Sequence, residues 1–479
     1  MNGTSSSSSK TKVSRNHIPS SAELFSDNET RYPKGRVENL TLDQEYVLKE
    51  VWGYLLKFWG YDVVLPQKYK SSDNGSPVIH RTNTVNSIKS NSTARTSSTS
   101  SGSSKKKFMS RFGGNKKKNG HHNVDELTRQ VSQLSTEPGV SVNTDMLIHN
   151  SFKNMKGEQV KQDFWKFLRH DTPDNLVLRF VRARKWNADK SLMMLANTLH
   201  WRVHETKVDK IFEGNELAFI DKDGVMLQFD KGKAYIRGYD LKGKPIVIVR
   251  PRFHHSSDQN EEDMQTFILL VIEYARLFLN EPVDSASIIF DLTDFSMANM
   301  DYAPVKFMVK CFEAHYPESL GTLLIHKAPW VFGGIWSIIK NWLDPVVASK
   351  INFTKNLKDL QKFVDIKHIP KELGGNDTFN YKYIKPSEKD KRLASDLCKT
   401  ELLQEREELI AKFIESTILW VESTEKSDND RYRKEKILIG RQLSNNYIAL
   451  WPYLVNKTIY HRFGYLELQE FEIFYDSID

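Results

Sequence analysis

Apolar positions recur along this chain with two periods, and the switch between them divides it into parts. Between 41 and 60, Val47, Leu48, Val51, Trp52, Leu55, Leu56 and Trp59 fall at helical spacing behind Thr41 or Asp43, either of which suits a cap. Such a helix must dock on something, the body of the chain or a membrane face. The helical period returns at Trp165, Phe167 and Leu168, over 174–186, and from a cap at Asn187 to about 201. Short apolar runs at 217–220 and 225–229, joined at Asp223 and Gly224, predict a β-hairpin. Near-continuous β-branched runs at 246–249 and 287–292 predict buried strands, with a long amphipathic helix at 261–279 between them and another at 302–315 after the second. Strands alternating with helices predict an α/β sheet with crossover connections. After Gly374 and Gly375, two long charged stretches at 387–425 and 431–454 carry helical patterning without strand signals. They predict a helical C-terminal appendage over 387–479.

The stretch 316–351 stands apart in pattern. It runs from a turn into a short strand at 322–325, then into a helix at 330–343 that reads as apolar around most of its circumference. A helix of that kind is ordinarily a core helix, and otherwise lies against lipid. It is too short for a bilayer, which takes about 20 residues, and Lys340 interrupts it. Two opposite charges frame it, Glu318 before the strand and Lys350 after the helix.

Composition sharpens this picture where it changes along the chain. Residues 1–37 are Ser-rich and poor in large apolar side chains, which predicts disorder, as it does for 63–123, leaving the helix at 38–62 between them. Residues 66–122 carry +11 while the whole chain carries +8, so the remainder is slightly acidic. The basic surface is therefore a linker and not a groove in a domain. Within it, Lys105, Lys106, Lys107, Phe108, Phe112, Lys116, Lys117 and Lys118 place apolar side chains between two cationic clusters. Lysines near an anionic bilayer contribute about 1 kcal/mol each, so this segment is a candidate membrane contact; no nucleic-acid fold accompanies it. Cys311 and Cys398 are too few for a disulfide framework, and no secretory or spanning segment is evident, so a reduced cytoplasmic setting is expected.

Catalytic signatures fail. Gly238 to Lys244 begins like a phosphate-binding loop, but Pro245 replaces the Ser or Thr and a strand follows. Neither cysteine has an arginine six residues on. His254, His255, Ser256 and Asp258 supply every residue type of a serine triad without any G-x-S-x-G elbow. His121 and His122 lack neighbouring ligands for a metal. The expectation is a protein that is not an enzyme and holds no metal.

The sequence LRFVRARKW at 178–186 belongs to a set of motifs: Lys244 with Pro245; Phe290, Asp291 and Leu292; Tyr316, Pro317 and Glu318; Ala328, Pro329 and Trp330; Leu343, Asp344 and Pro345 through Lys350; and Leu373, Gly374 and Gly375. In order and spacing these resemble the CRAL-TRIO (SEC-fourteen-like) lipid-transfer proteins over 158–376. With its front helix and helical tail, the chain is similar to the fungal phosphatidylinositol transfer proteins of the CSR type. The resemblance implies a helical N-lobe over 150–210 and a mixed α/β lipid-binding lobe over 211–377 that encloses one lipid. It implies that Lys350 holds the phosphate of phosphatidylinositol and Glu318 its hydroxyls, with Arg184 and Lys185 in support. A plain Glu318–Arg184 ion pair is the competing structural reading. It also makes the helix at 330–343 a gate, carried by Trp330, Ile335, Trp336, Ile339, Trp342 and Leu343.

That role suits the chemistry. A two-chain phospholipid in water exposes about 30 methylenes at roughly 0.8 kcal/mol each, more than about 20 kcal/mol in all, so a carrier needs a closed apolar cavity. Relatives that also carry phosphatidylcholine resemble one another in a Ser-x-Thr pair and two tyrosines. Here Ala286, Ile288, Ile236 and Val247 stand at those places, and Val347 replaces a common Thr. A buried phosphate without donors costs several kcal/mol, which predicts transfer of phosphatidylinositol with little or no phosphatidylcholine, and room for a neutral apolar lipid. The implied setting is peripheral association with internal membranes, microsomal or endosomal, no cofactor beyond the bound phospholipid, and a phosphatidylinositol 4-kinase as recipient. The alternative is a lipid-sensing scaffold that presents its ligand without bulk transfer.

Overall fold

The computed structural model describes residues 10–13, 32–65, 152, 154–279, 281–466 and 473–476, all within one compact unit. The basic segment containing Lys105 to Lys107, Phe108, Phe112 and Lys116 to Lys118 lies outside them. In chain order the elements are β1 (Lys10–Val13), α1 (Leu42–Phe58), α2 (Gly157–Leu168), α3 (Pro173–Ala183), α4 (Ala188–His200), α5 (Val208–Gly214), α6 (Asp223–Asp230), β2 (Ala234–Tyr239), β3 (Pro245–Val249) and α7 (Glu261–Leu277). There follow β4 (Ala286–Asp291), α8 (Tyr302–Lys310), β5 (Leu320–His326), α9 (Phe332–Ile339), α10 (Pro345–Ser349), β6 (Ile351–Thr354), α11 (Leu357–Leu360), α12 (Leu397–Glu422), α13 (Lys426–Leu454), α14 (Ile459–Arg462) and β7 (Ile473–Asp476). Strand order is β2-β3-β4-β5-β6, antiparallel between β2 and β3 and parallel thereafter. Ile246, Ile248, Ile289 and Leu324 face one core with Leu360, Val364, Ile369 and Leu373. Their alternate neighbours face the other side, so both faces are apolar and the runs are unbroken.

The predicted hairpin at 217–229 is instead a 3₁₀ turn at Glu216–Phe219 followed by α6. Val225 and Phe229 are four apart, a helical spacing that a short run does not distinguish from a strand, and both are buried. Gly224 serves close approach, since a Cβ there would lie 2.2 Å from Asp263 Oδ2. β1 pairs antiparallel with β7, and Tyr32 and Val37 are buried.

Two further elements prove integral. α1 starts at Thr41, where a capping box with Gln44 satisfies both backbone donors. Trp52 Nε1 and Lys436 Nζ both donate to Asp174 Oδ1 at 2.8 Å, tying α1, α3 and α13 together. Trp420 Nε1 donates to Glu45 Oε1 at 3.0 Å. The front helix thus docks on protein. The helices of the C-terminal extension also pack on the body: Trp420 and Trp451 are fully buried, and the Ile236 N–H of edge strand β2 donates to the Tyr460 hydroxyl at 2.9 Å. Their many surface charges mask narrow buried stripes.

A charged network fixes the N-lobe to α7. Glu273 accepts from Arg169, from Arg202 at 2.9 Å, from Arg276 at 3.1 Å and from the Tyr316 hydroxyl at 2.6 Å. Asp209 bonds both Arg169 and Arg202. Although burial opposes ionisation, the three guanidiniums hold the Glu273 carboxyl far below its ordinary value.

Candidate functional site

A cavity of about 250 Å³ lies between the sheet, α7, α8 and α9. The sheet contributes Val247, Val249, Ala286, Ile288, Phe290, Leu323 and Ile325, every second residue of three adjacent strands. The stripe on α7 is Met264, Phe267, Ile268, Val271, Ile272 and Ala275, at helical spacing. Val305, Met308 and Val309 enter from α8, and Phe332, Trp336 and Ile339 from α9, followed by Leu343 and Val347. Of the four predicted cavity positions, Val247, Ala286 and Ile288 line the wall. Ile236 does not; it is buried in the main core.

The predicted gate helix is shorter and more one-sided than its composition implies. α9 spans eight residues. Phe332, Trp336 and Ile339 face the cavity, and Ile335 packs with Leu292 and Ile325. Gly333, Gly334, Ser337, Ile338, Lys340 and Asn341 are exposed. Trp330 precedes the helix and is 93% exposed. Trp342 follows it, edge-on to Tyr302 at 5.6 Å and beneath the Lys306 ammonium. A window of 330–343 merges flanking turns with the helix, and that merger produced the all-round apolar pattern.

The predicted headgroup residues Arg184, Lys185, Glu318 and Lys350 stand outside the cavity wall, Glu318 and Lys350 beside Ser319 and Leu320, which do line it. Lys350 Nζ donates to the Leu320 carbonyl at 2.7 Å. Glu318 adopts a left-handed φ of 60°, unusual for a side chain with Cβ. Its ionic neighbour is Arg182, with Nε 3.8 Å away, and not Arg184. Arg182 in turn bonds Asp284 at 3.0 Å. Burial lowers the Arg184 pKa, opposed by Asp344 and Glu313. Glu313 accepts the Asp344 N–H at 2.7 Å, and burial pushes its carboxyl up to about 7. Lys185 is exposed, also at positive φ. Sequence reasoning missed Arg182 and Lys244 as parts of this rim, though both lie inside motifs it had singled out.

At the other end of the parallel strands, Lys233, His254, Asn299 and Asp301 reach the cavity. His254 contacts Lys233 Nζ at 3.2 Å and Asp301 at 3.3 Å, and burial lowers its pKa. Asp258 pairs with Lys231 at 2.7 Å. His254 and Asp258 are thus engaged by Lys231 and Lys233 and by Asp301. Among the described residues, no three His, Cys, Asp or Glu side chains form a metal site, and no helix is long and apolar enough to cross a membrane.

The CRAL/TRIO domain matches residues 229–375, and the CRAL/TRIO N-terminal domain residues 124–197. Phosphatidylinositol transfer protein CSR1 of Eremothecium gossypii is 43% identical over 452 residues, 91% of this chain and 98% of that one. The chain belongs to the CRAL-TRIO family. A second CRAL-TRIO relative, the CRAL-TRIO domain-containing protein C3H8.02 of Schizosaccharomyces pombe, is 35% identical over 444 residues, 91% of this chain and 93% of that one. Both alignments extend well beyond the matched CRAL-TRIO domains, in keeping with α1, α12 and α13 packing as parts of one body.

Proposed function

We propose that this chain binds one phosphatidylinositol, its acyl chains in the cavity and its headgroup at the rim beside Lys350 and Glu318, and carries it between membranes. The supporting observation is the cavity wall at α9. A short apolar segment closes the cavity from one side, while Trp330, Ile338, Val346 and Phe353 are exposed around it at 93%, 44%, 52% and 49%. Phe353 lies edge-on to Trp336 at 5.2 Å, so exposed and cavity-facing aromatics adjoin. A patch of this kind suits a lipid surface. The name of the Eremothecium gossypii relative agrees with the reading. Val247, Ala286 and Ile288 leave the sheet wall without hydroxyl donors, which disfavours phosphatidylcholine. The bound lipid would be released at, or presented on, internal membranes to a phosphatidylinositol 4-kinase, with the segment 105–118 adding electrostatic attachment.

Purified protein should move labelled phosphatidylinositol between vesicles and move phosphatidylcholine at least about tenfold more slowly, the equivalent of 1.4 kcal/mol. Lys350→Ala should lower phosphatidylinositol transfer about 10- to 100-fold with the melting temperature unchanged, because a charge-assisted bond contributes about 1.5–3 kcal/mol. Efficient phosphatidylcholine transfer would refute the selectivity, and lipid bound but never moved would leave a presenter.

A further inference from the structure

The rim holds a second lysine that, among the described residues, makes no ion pair. Lys244, at the turn between β2 and β3, donates from Nζ to Ser285 Oγ at 2.8 Å. Among the described residues, no carboxylate lies within ion-pair distance of Lys244 or of Lys350, whose ammonium rests on the Leu320 carbonyl. Three guanidiniums nearby are matched: Arg182 with Asp284, Arg179 with Asp171, and Arg36 with Glu281. Both lysines lie against the start of β5. A Cβ on Gly321 would come 2.8 Å from Lys244 Cδ and 3.0 Å from its Nζ. Burial, with Lys242 and Lys350 adding to it, lowers the Lys244 pKa against the pull of Asp240 and Asp284. Two ammoniums sharing a partly desolvated rim raise the energy of the fold unless an anion joins them.

We propose that Lys244 and Lys350 together form the anion seat for a phosphodiester, which lies over Gly321 with one ammonium on either side. This rests on the reading of the cavity as a phosphatidylinositol site, and adds the residue that makes the rim selective. An inositol ring brings only hydroxyls to the seat. A choline would bring a cation against two lysines, a second barrier to phosphatidylcholine that is independent of the sheet wall. Gly321 is required because any side chain there would displace Lys244.

The test uses the full chain as Lys244→Gln, Lys244→Arg and Gly321→Ala. Vesicle transfer is measured alongside calorimetric titration with glycerophosphoinositol and with inorganic phosphate. Lys244→Gln and Gly321→Ala should each lower phosphatidylinositol transfer and glycerophosphoinositol affinity about tenfold or more, one charge-assisted contact. Lys244→Arg should keep most of both, because it keeps the charge. Melting temperatures distinguish misfolding, which is a concern only for Gly321→Ala. Lys244→Gln with transfer and headgroup affinity within about twofold of the parent, less than the 0.5 kcal/mol of an ordinary surface change, overturns the proposal. If the parent moves no phosphatidylinositol yet binds either anion through Lys244, the seat stands and the transfer reading falls; inorganic phosphate alone then identifies a free anion as the ligand. A parent that binds neither anion removes the seat.

Discussion

The cavity has two helical walls built on opposite principles. α7 runs 17 residues from a capping Asn260. It is buried over most of its length and clamped through Glu273 to Arg169, Arg202, Arg276 and Tyr316. α9 runs eight residues with no side-chain cap. Its outer turn carries Gly333 and Gly334, around which a Cβ would meet nothing within 4 Å, and its inward contacts are apolar. Directional ionic bonds cannot be traded for lipid contacts, whereas burial of Phe332, Trp336 and Ile339 is non-directional, and acyl chains replace it at little net cost. In the proposed carrier, the kind of bonding, more than its amount, determines which wall can move.

The strongest way to break the comparison is at Glu273. Glu273→Ala leaves buried guanidiniums without their shared carboxylate, a loss of about 3–5 kcal/mol measurable as a shift of the denaturant midpoint. Because the Glu273 carboxyl is held far below its ordinary value of 4.5, its contribution is fully present above that value and is lost as pH falls below it. The variant should therefore lose less stability than the parent on acidification. A loss under about 1 kcal/mol, the median for surface pairs, would mean that α7 is not the fixed wall.

Next in size is the exposed side of α9. Trp330→Asp and Ile338→Asp should leave stability within about 0.5 kcal/mol, as for surface substitutions generally. Each places a charge that costs about 2.5–3.5 kcal/mol at a bilayer centre, less at its interface. Transfer should fall about tenfold in vesicle assays while the amount of lipid bound at equilibrium stays the same. Equal transfer would place the moving wall elsewhere.

The contrast between the walls was only half legible in the sequence. The stripe on α7 was readable because its period persists for four turns; the partners of Glu273 were not, since Arg169, Arg202 and Tyr316 are brought together only by the fold. The apolar character of 330–343 was plain, but its helical phase was not, so Trp330 and Trp342 were assigned to a helix they flank. The rim fails for the same reason at finer scale. Arg182 and Arg184 are two apart, about 200° around a helix, and without the phase the sequence does not tell which meets Glu318. Lys244 gains meaning only from Gly321 across the sheet. The apolar strands were legible as strands; the face each residue shows was set by the register between them.

The smallest effect lies at the junction where α9 gives way to α10. Glu313 accepts the N–H of Asp344, the residue that caps α10 through Val346 and Val347. Burial and the nearby Asp344 carboxylate raise the Glu313 carboxyl to about 7, with Arg184 opposing. A raised carboxyl pKa means that the folded chain binds a proton the unfolded chain has released. Glu313 therefore lowers stability progressively as pH rises from its ordinary 4.5 through about 7, and the penalty is constant above that. At 1.36 kcal/mol per pKa unit, and discounted for a group that is partly exposed, the penalty comes to about 1 kcal/mol. Glu313→Gln keeps an acceptor for the Asp344 N–H and cannot ionise. Its stability relative to the parent should therefore rise by about 1 kcal/mol between pH 5 and pH 8, read from paired denaturant curves. The same difference at both pH values would show that this junction carries no strained charge, and the asymmetry between α7 and α9 would then rest on contact type alone.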